Sequence, residues 1–157
     1  MYKVGFGFDS HKFKEGNFII LGGVKIDHYQ SIEAHSDGDL IIHALSDALL
    51  GAAGLGDLGS YFQGSEKDKG ISGSAILSEI LEKIKKYHII NIDICVITEE
   101  PKLKPYAAKI EESLSSLLHI DRNNINFKSK TNDGMGFIGR SEGIAVFANV
   151  LIKNKWY

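Results

Sequence analysis

The sequence predicts a single α/β domain, an α+β sandwich in which a sheet of four or more strands has helices packed on one face. Strand and helix patterns interleave along the chain, an order typical of two packed layers. No linker or internal repeat divides the 157 residues, a length that suits one domain with its own core. We therefore expect residues 1–157 to fold as one unit.

The first third of the chain predicts two strands and a buried helix. Residues 2–8 alternate large apolar side chains with lysine and glycine, which is typical of a strand. Residues 17–23 form an apolar run that ends in two glycines, which indicates a second strand and a turn. Residues 40–55 contain no proline and are apolar almost all round, so we expect a helix buried on most of its surface.

The remaining two thirds predict two amphipathic helices and three strands. The helices are expected over residues 72–87 and 104–119, the second with Pro105 near its first turn, and the strands over residues 91–98, 124–131 and 143–153. Residues 62–73 are charged and contain glycine, and they lie between two predicted helices. We expect this segment to be a mobile loop that acts as a lid.

Composition and charge are typical of a soluble globular protein, which we expect in the cytoplasm. A formal net charge of −2 gives no general reason to bind nucleic acid or an acidic membrane, and no apolar run is long enough to span a bilayer. The first residues lack the pattern of a secretory signal, although the sequence leaves open that an organelle-targeting segment has been removed. The single cysteine, Cys95, lies in an apolar run and is expected to be a buried, reduced thiol.

Polar side chains interrupt the predicted buried helix at Asp39, His43 and Asp47, spaced so that they share one face. One interpretation is structural: Asp39 caps the helix and His43 bonds to Asp47. The other combines His43 with Asp9 and His11, which would share a face if the chain stays extended beyond residue 8. One carboxylate and two imidazoles can bind zinc with an open fourth position, and Asp47 would then fix the tautomer of His43. Spacing alone leaves both interpretations open.

Two glycine-bearing segments have features that could bind phosphate. Residues 34–40 offer Ser36 or Asp37 as an N-cap, so that free backbone N–H groups would lie beside His35. Residues 128–143 place Arg140 among glycines, where a phosphate or carboxylate could approach closely. A capped helix and a hairpin explain the same residues equally well.

Five segments taken together resemble the 2-C-methyl-D-erythritol 2,4-cyclodiphosphate synthase family. In chain order they are GFDSHKF, AHSDGD, HALSDALLGAAGLGDLG, PKLKP and GFIGRSEGIA, and they extend over nearly the whole chain. The resemblance implies an enzyme of the non-mevalonate isoprenoid pathway, built as a homotrimer with active sites shared between neighbouring subunits. It implies that 4-diphosphocytidyl-2-C-methyl-D-erythritol 2-phosphate becomes the 2,4-cyclodiphosphate with release of CMP.

The resemblance also assigns metals and catalytic residues. It implies one Zn²⁺ per subunit on Asp9, His11 and His43, and a second divalent cation, Mg²⁺ or Mn²⁺, near Asp133. It gives catalytic roles to His35 and Thr131. The substrate contacts that it implies are Asp9, His11, His35, Ser36, Asp57, Gly59, Phe62, Thr98, Pro101, Lys102, Leu103, Lys104, Lys130, Thr131, Asn132, Asp133, Phe137 and Arg140.

Within that set, the resemblance implies a division of labour. The residues up to Phe62 match positions near the methylerythritol phosphates and hydroxyls, residues 98–104 match the cytidine pocket of an adjacent subunit, and residues 130–133 match the diphosphate site. Phe137, Arg140 and Glu142 match residues around the trimer axis, where the family has a cavity that takes an isoprenoid diphosphate.

Three departures from the family pattern keep other functions open. Asp133 replaces a common glutamate, Lys130 replaces a common hydroxyl residue, and residues 62–66 replace a phenylalanine–proline–aspartate run. A trimeric nucleotide-binding module that has lost catalysis would fit these changes. A zinc hydrolase of a phosphate ester would fit the metal ligands without the rest of the pattern.

Overall fold

A computed structural model describes residues 1–66 and 68–156, and these form a mixed five-stranded sheet with helices packed on it. The strands are β1 (Tyr2–Glu15), β2 (Phe18–Leu21), β3 (Val24–Asp27), β4 (Gln30–Ile32), β5 (Tyr87–Ile97), β6 (Ile125–Lys130) and β7 (Gly143–Asn154). The helices are α1 (Leu40–Ala53), α2 (Gly73–Lys83), α3 (Ala107–Leu118) and α4 (Gly136–Gly139). The fold class predicted from the sequence is confirmed.

The sheet has the order β4-β1-β7-β5-β6, and β2 and β3 form a separate hairpin. Only the β5–β6 pair is parallel among the described strand pairs. Parallel pairing matters for the site because it brings the carboxyl ends of β5 and β6 to the same edge. The short elements β3, β4 and α4 were not predicted, since runs of three or four residues give no clear periodicity.

Helix α1 lies at the centre of the core, as its apolar composition predicts. Eleven of its residues are buried, and it packs against β1 and β7. Its close approach to β1 depends on two glycines: a Cβ at Gly5 would lie 1.8 Å from the Ala48 carbonyl oxygen, and a Cβ at Gly7 would lie 1.8 Å from that of Ala44. The glycine face of β1 is therefore the inner face.

The opposite face of β1 is uncovered in the single chain. Tyr2, Val4, Phe6 and Phe8 are all at least 46% exposed, although they are the large apolar members of the alternating pattern. Cys95 on β5 is half-buried rather than buried, which corrects the expectation from its apolar run. Among the described helices, none is long and apolar enough to cross a membrane.

The carboxylate of Asp39 joins α1 to the β2–β3 turn. One oxygen accepts hydrogen bonds from the Gly22 and Ile42 N–H groups at 2.8 and 3.2 Å, and the other accepts one from Gly23 at 2.7 Å. Both turn glycines have positive φ angles, 60° and 78°. Asp39 is thus the N-cap of α1, which corrects the alternative that Ser36 or Asp37 caps this helix.

Replacing Asp39 with alanine is expected to lower the free energy of unfolding by about 3 kcal/mol or more, because three backbone N–H groups lose their acceptor. Urea unfolding at a fixed protein concentration would measure the loss. The control is Ser72→Ala, which removes an exposed cap bond to Ala75 and an exposed bond to the Ser74 hydroxyl and should cost about 1 kcal/mol. Equal losses in the two variants would contradict the proposed link between helix and turn.

Candidate active site

Three side chains that could hold a metal ion meet where β1 packs on α1. Asp9 and His11 continue the inner, glycine-bearing face of β1, and His43 extends from α1 beside Ala44, where Gly7 allows the close approach. Asp9 Oδ2 lies 3.3 Å from His11 Nε2 and 3.1 Å from His43 Nδ1. A tetrahedral ion with bonds of about 2.0–2.1 Å separates its ligand atoms by roughly 3.3 Å. The residues therefore fit a divalent metal.

The electrostatics of this triad favour a bound cation. Burial alone would raise the pKa of Asp9, but hydrogen bonds with the His11 and His43 rings outweigh it and hold the pKa at about 2. The hydrogen bond to Asp9 raises the pKa of His11, although partial burial opposes the change. The carboxylate is consequently ionised at neutral pH, and a cation can replace the proton that the histidines share with it.

The partner that orients His43 is Ser36, not Asp47. His43 Nε2 lies 3.1 Å from Ser36 Oγ, while Asp47 Oδ1 accepts a hydrogen bond from the Leu58 N–H at 2.6 Å. The prediction that Asp47 fixes the His43 tautomer is therefore wrong. The Asp47 carboxylate instead accepts the N–H of Leu58, the first residue of a 3₁₀ turn over Leu58–Ser60.

A cavity of about 390 Å³ opens over the triad. It is lined by Asp9, His11, Ala34, His35, Ser36, His43, Asp47, Leu58, Gly59, Phe62, Gln63, Gly64, Asp68, Ile71 and Ile76. The cavity thus brings together six predicted substrate contacts: Asp9, His11, His35, Ser36, Gly59 and Phe62. Asp57 is the N-cap of the 3₁₀ turn over Leu58–Ser60, which includes Gly59. Gln63, Gly64, Asp68 and Ile71 lie in the predicted lid, but the sequence did not single them out as cavity residues, because loop residues carry no periodic signal.

The predicted lid, residues 62–73, forms one wall of this cavity. Its later part is tied down, since the Gly70 N–H donates to the His35 carbonyl at 2.9 Å and the Gly73 N–H donates to Asp37 Oδ2 at 2.7 Å. Lys67 lies outside the described residues. The motion of the loop stays a prediction.

A second group of predicted site residues lies at the shared edge of β5 and β6. The Thr98 N–H donates to the Lys130 carbonyl at 3.0 Å, so the two strand ends continue side by side into their loops. Thr131 and Asp133 are exposed there, with Thr131 Oγ1 3.5 Å from Asp133 Oδ1. Leu103 is only 2% exposed and belongs to the hydrophobic core.

The other predicted residues of this group fall on the same loops. Pro101 and Lys102 follow β5, Lys104 begins a 3₁₀ turn, and Lys130 and Asn132 flank Thr131. None of the residues 98–104 or 130–133 lines the cavity over the triad. Within the described residues, the two groups therefore share no single cavity in one chain.

Phe137 and Arg140 lie in a third place, on and just after α4. Phe137 lines a pocket of about 610 Å³ with Ser10, His11, Lys12, Glu142 and Gly143. The Arg140 guanidinium donates to both carboxylate oxygens of Glu142, at 2.7 and 3.5 Å. This ion pair offsets much of the arginine charge.

Comparisons with known proteins agree with this geometry. Residues 2–153 match the sequence profile of the YgbB family. The 2-C-methyl-D-erythritol 2,4-cyclodiphosphate synthase of Acinetobacter baumannii is 43% identical over 155 residues, which cover 97% of each chain. That of Clostridium acetobutylicum is 47% identical over 146 residues, 91% of this chain and 94% of the relative.

Solved structures extend the likeness to three dimensions. The bifunctional IspDF from Campylobacter jejuni is 39% identical with a TM-score of 0.94, and the match covers 98% of this chain and 42% of that one. The CDP complex of Plasmodium falciparum IspF is 36% identical with a TM-score of 0.85, and the match covers 98% of this chain and 97% of that one.

Proposed function

Because the chain belongs to the YgbB family, whose relatives are 2-C-methyl-D-erythritol 2,4-cyclodiphosphate synthases, we propose that the two groups of residues described above carry out that reaction. The enzyme acts in isoprenoid precursor synthesis and converts 4-diphosphocytidyl-2-C-methyl-D-erythritol 2-phosphate into the 2,4-cyclodiphosphate and CMP. The observation that carries the assignment of residues is the Asp9–His11–His43 triad on the floor of an open cavity.

The reaction is an internal phosphoryl transfer. An oxygen of the substrate's own 2-phosphate forms a bond to the β-phosphorus, and the bond from that phosphorus to the oxygen of the CMP phosphate breaks. Attacking and attacked groups are both anionic, so the protein must bring them into line and offset their repulsion. The chain needs no nucleophile of its own.

The cavity on β1 and α1 would bind the methylerythritol end of the substrate. Asp9, His11 and His43 would hold Zn²⁺, with Ser36 orienting the His43 ring. When bound, zinc supplies a positive charge that polarises a phosphate oxygen. His35 lines the same cavity, where its imidazole can donate a hydrogen bond to the phosphate and stabilise the developing charge.

The loops after β5 and β6 would bind the cytidine diphosphate end. Asp133 offers an exposed carboxylate for Mg²⁺ or Mn²⁺, which prefer oxygen ligands, and Thr131 offers a hydroxyl beside it. Lys130 and Asn132 would contact the diphosphate. The cytidine base would lie against the segment after β5, on Thr98, Pro101, Lys102, Leu103 and Lys104.

A homotrimer would join the two groups. The exposed face of β1 forms one apolar surface with Phe147, whose ring centroid lies 6.0 Å from that of Phe6 and 5.0 Å from that of Phe8. An apolar surface of this kind indicates a protein interface. With a second copy packed there, the metal triad of one subunit would face the loops after β5 and β6 of its neighbour, here called the nucleotide loops.

Two further assignments complete the proposal. An isoprenoid diphosphate would bind on the trimer axis near Phe137 and Arg140, where Phe137 and Lys12 line a pocket and Arg140 pairs with Glu142 in its wall. A cytoplasmic location is inferred from the single cysteine, which can form no disulfide within the chain.

Incubation of the purified protein with the cytidyl substrate tests the function. We expect the cyclic diphosphate and CMP as products, identified by mass and ³¹P NMR. A chelator should stop the reaction, and Zn²⁺ with Mg²⁺ should restore it. A linear phosphate product would show that water attacks, as in a hydrolase. Nucleotide binding without CMP release would indicate a module that has lost catalysis.

A further inference from the structure

The geometry points to Glu99 as a positioning residue that aims the Asp133 carboxylate at the nucleotide diphosphate and its metal, an inference that rests on the proposed function. Glu99 follows β5 and lies 34 positions before Asp133, and no motif links the two. Neither residue type nor spacing singled it out in the sequence.

Glu99 bonds to the backbone on both sides of Asp133. Its Oε1 accepts hydrogen bonds from the Asn132 N–H at 2.8 Å and from the Gly134 N–H at 3.3 Å. Asp133 itself has a φ of 51°, in the left-handed region that few side-chain-bearing residues adopt and that aspartate enters more readily than most. The two bonds hold this uncommon conformation in place.

The carboxylate of Glu99 extends from a firm base. Thr98, the preceding residue, is 4% exposed, and its N–H donates to the Lys130 carbonyl. The Thr98 hydroxyl donates to the Glu100 carbonyl at 2.6 Å, which fixes the chain on the other side of Glu99. The sheet therefore fixes the position of Glu99. The two hydrogen bonds of Glu99 in turn fix the loop that carries Asp133.

The short side chain of Asp133 makes this support important. An aspartate has fewer rotatable bonds than a glutamate, so its backbone largely decides where the carboxylate points. Rotation of the backbone into an ordinary conformation would carry the carboxylate away from Thr131, which lies 3.5 Å from it. Loss of Glu99 is thus expected to misplace a ligand without removing it.

Three variants test the inference. Glu99→Ala removes the acceptor, and Glu99→Gln keeps an oxygen at the same place without the charge. Glu111→Ala is the control, because Glu111 Oε1 accepts the Phe127 N–H of β6 at 3.2 Å, before the strand reaches the site; this change also removes the ion pair of Glu111 with Arg122. Three quantities would be measured: kcat and KM over a range of Mn²⁺ concentrations, zinc content, and the amide NMR shifts of Asn132 and Gly134 in metal-free protein.

We expect Glu99→Ala to lower kcat/KM by about 10–100-fold and to raise the Mn²⁺ concentration needed for half-maximal activity, with zinc content unchanged. Its two amide signals should shift, whereas Glu99→Gln and Glu111→Ala should resemble the wild type in activity and in these signals. Unchanged kinetics in Glu99→Ala would overturn the inference. So would an equal loss in Glu99→Gln, or the same loss in Glu111→Ala. If the wild type formed no cyclic product, the proposed function would fail, while the amide shifts would still test the bonds.

Discussion

Replacing His43 with alanine is expected to reduce formation of the cyclic product by about 10³-fold and to abolish tight zinc binding, while the fold is kept. The change leaves Asp9 and His11 as the remaining ligands of the triad, too few for a stable tetrahedral site. His43 lines an open cavity, so the alanine leaves no void in the core. Turnover, zinc content by mass spectrometry and circular dichroism would measure the three effects.

The control for this experiment is His88→Ala. His88 is an exposed histidine on β5, outside the cavity, and its loss should change neither zinc content nor turnover. Ser36→Ala offers a graded case, because it keeps all three ligands and removes the hydroxyl that meets His43 Nε2 and accepts the Gly38 N–H; we expect a loss of about 10–100-fold. A fully active His43→Ala enzyme would disprove the zinc assignment.

Periodicity predicted the elements of the fold well but not which face of β1 lies inside. Alternation correctly placed Asp9 and His11 on one face. The usual rule would bury Phe6 and Phe8, yet the opposite, glycine-bearing face is the one that packs on α1. The reason is steric, since only glycine lets the helix backbone come this close. A sequence cannot state that distance, and it does not say that another subunit would cover the aromatic face.

The sequence identified the triad only when the family resemblance joined two weak signals. Contacts around the triad depend on tertiary structure: Asp47 bonds to Leu58 and Ser36 meets His43, although helical spacing favoured an Asp47–His43 pair. Glu99 was missed for the same reason. Its bonds cross from one strand end to another, and parallel pairing of distant segments leaves no local pattern.

The two residue groups lie on different parts of the chain, and the proposed homotrimer would bring them together. In one chain the cavity over the metal triad lacks every residue of the nucleotide loops. On the proposed function, a substrate that bridges both groups would draw on residues from two chains. In a cyclic trimer each interface is of the same head-to-tail kind, so each of three equivalent sites would take its triad from one subunit and its loops from the next.

Co-expression of two inactive variants is expected to restore activity. His43→Ala damages only the metal triad and Asp133→Ala damages only the nucleotide loops, so each variant alone should be nearly inactive. In randomly mixed trimers, half of the triads and half of the loops are intact, and about one quarter of the sites should combine an intact triad with intact loops. The measurement is turnover per subunit in the purified mixture.

Co-expression of His43→Ala with His11→Ala is the control, and it should restore nothing because both changes damage the metal triad. Absence of recovery in the first pair, with trimers of both chains present, would mean that each site is built within one chain.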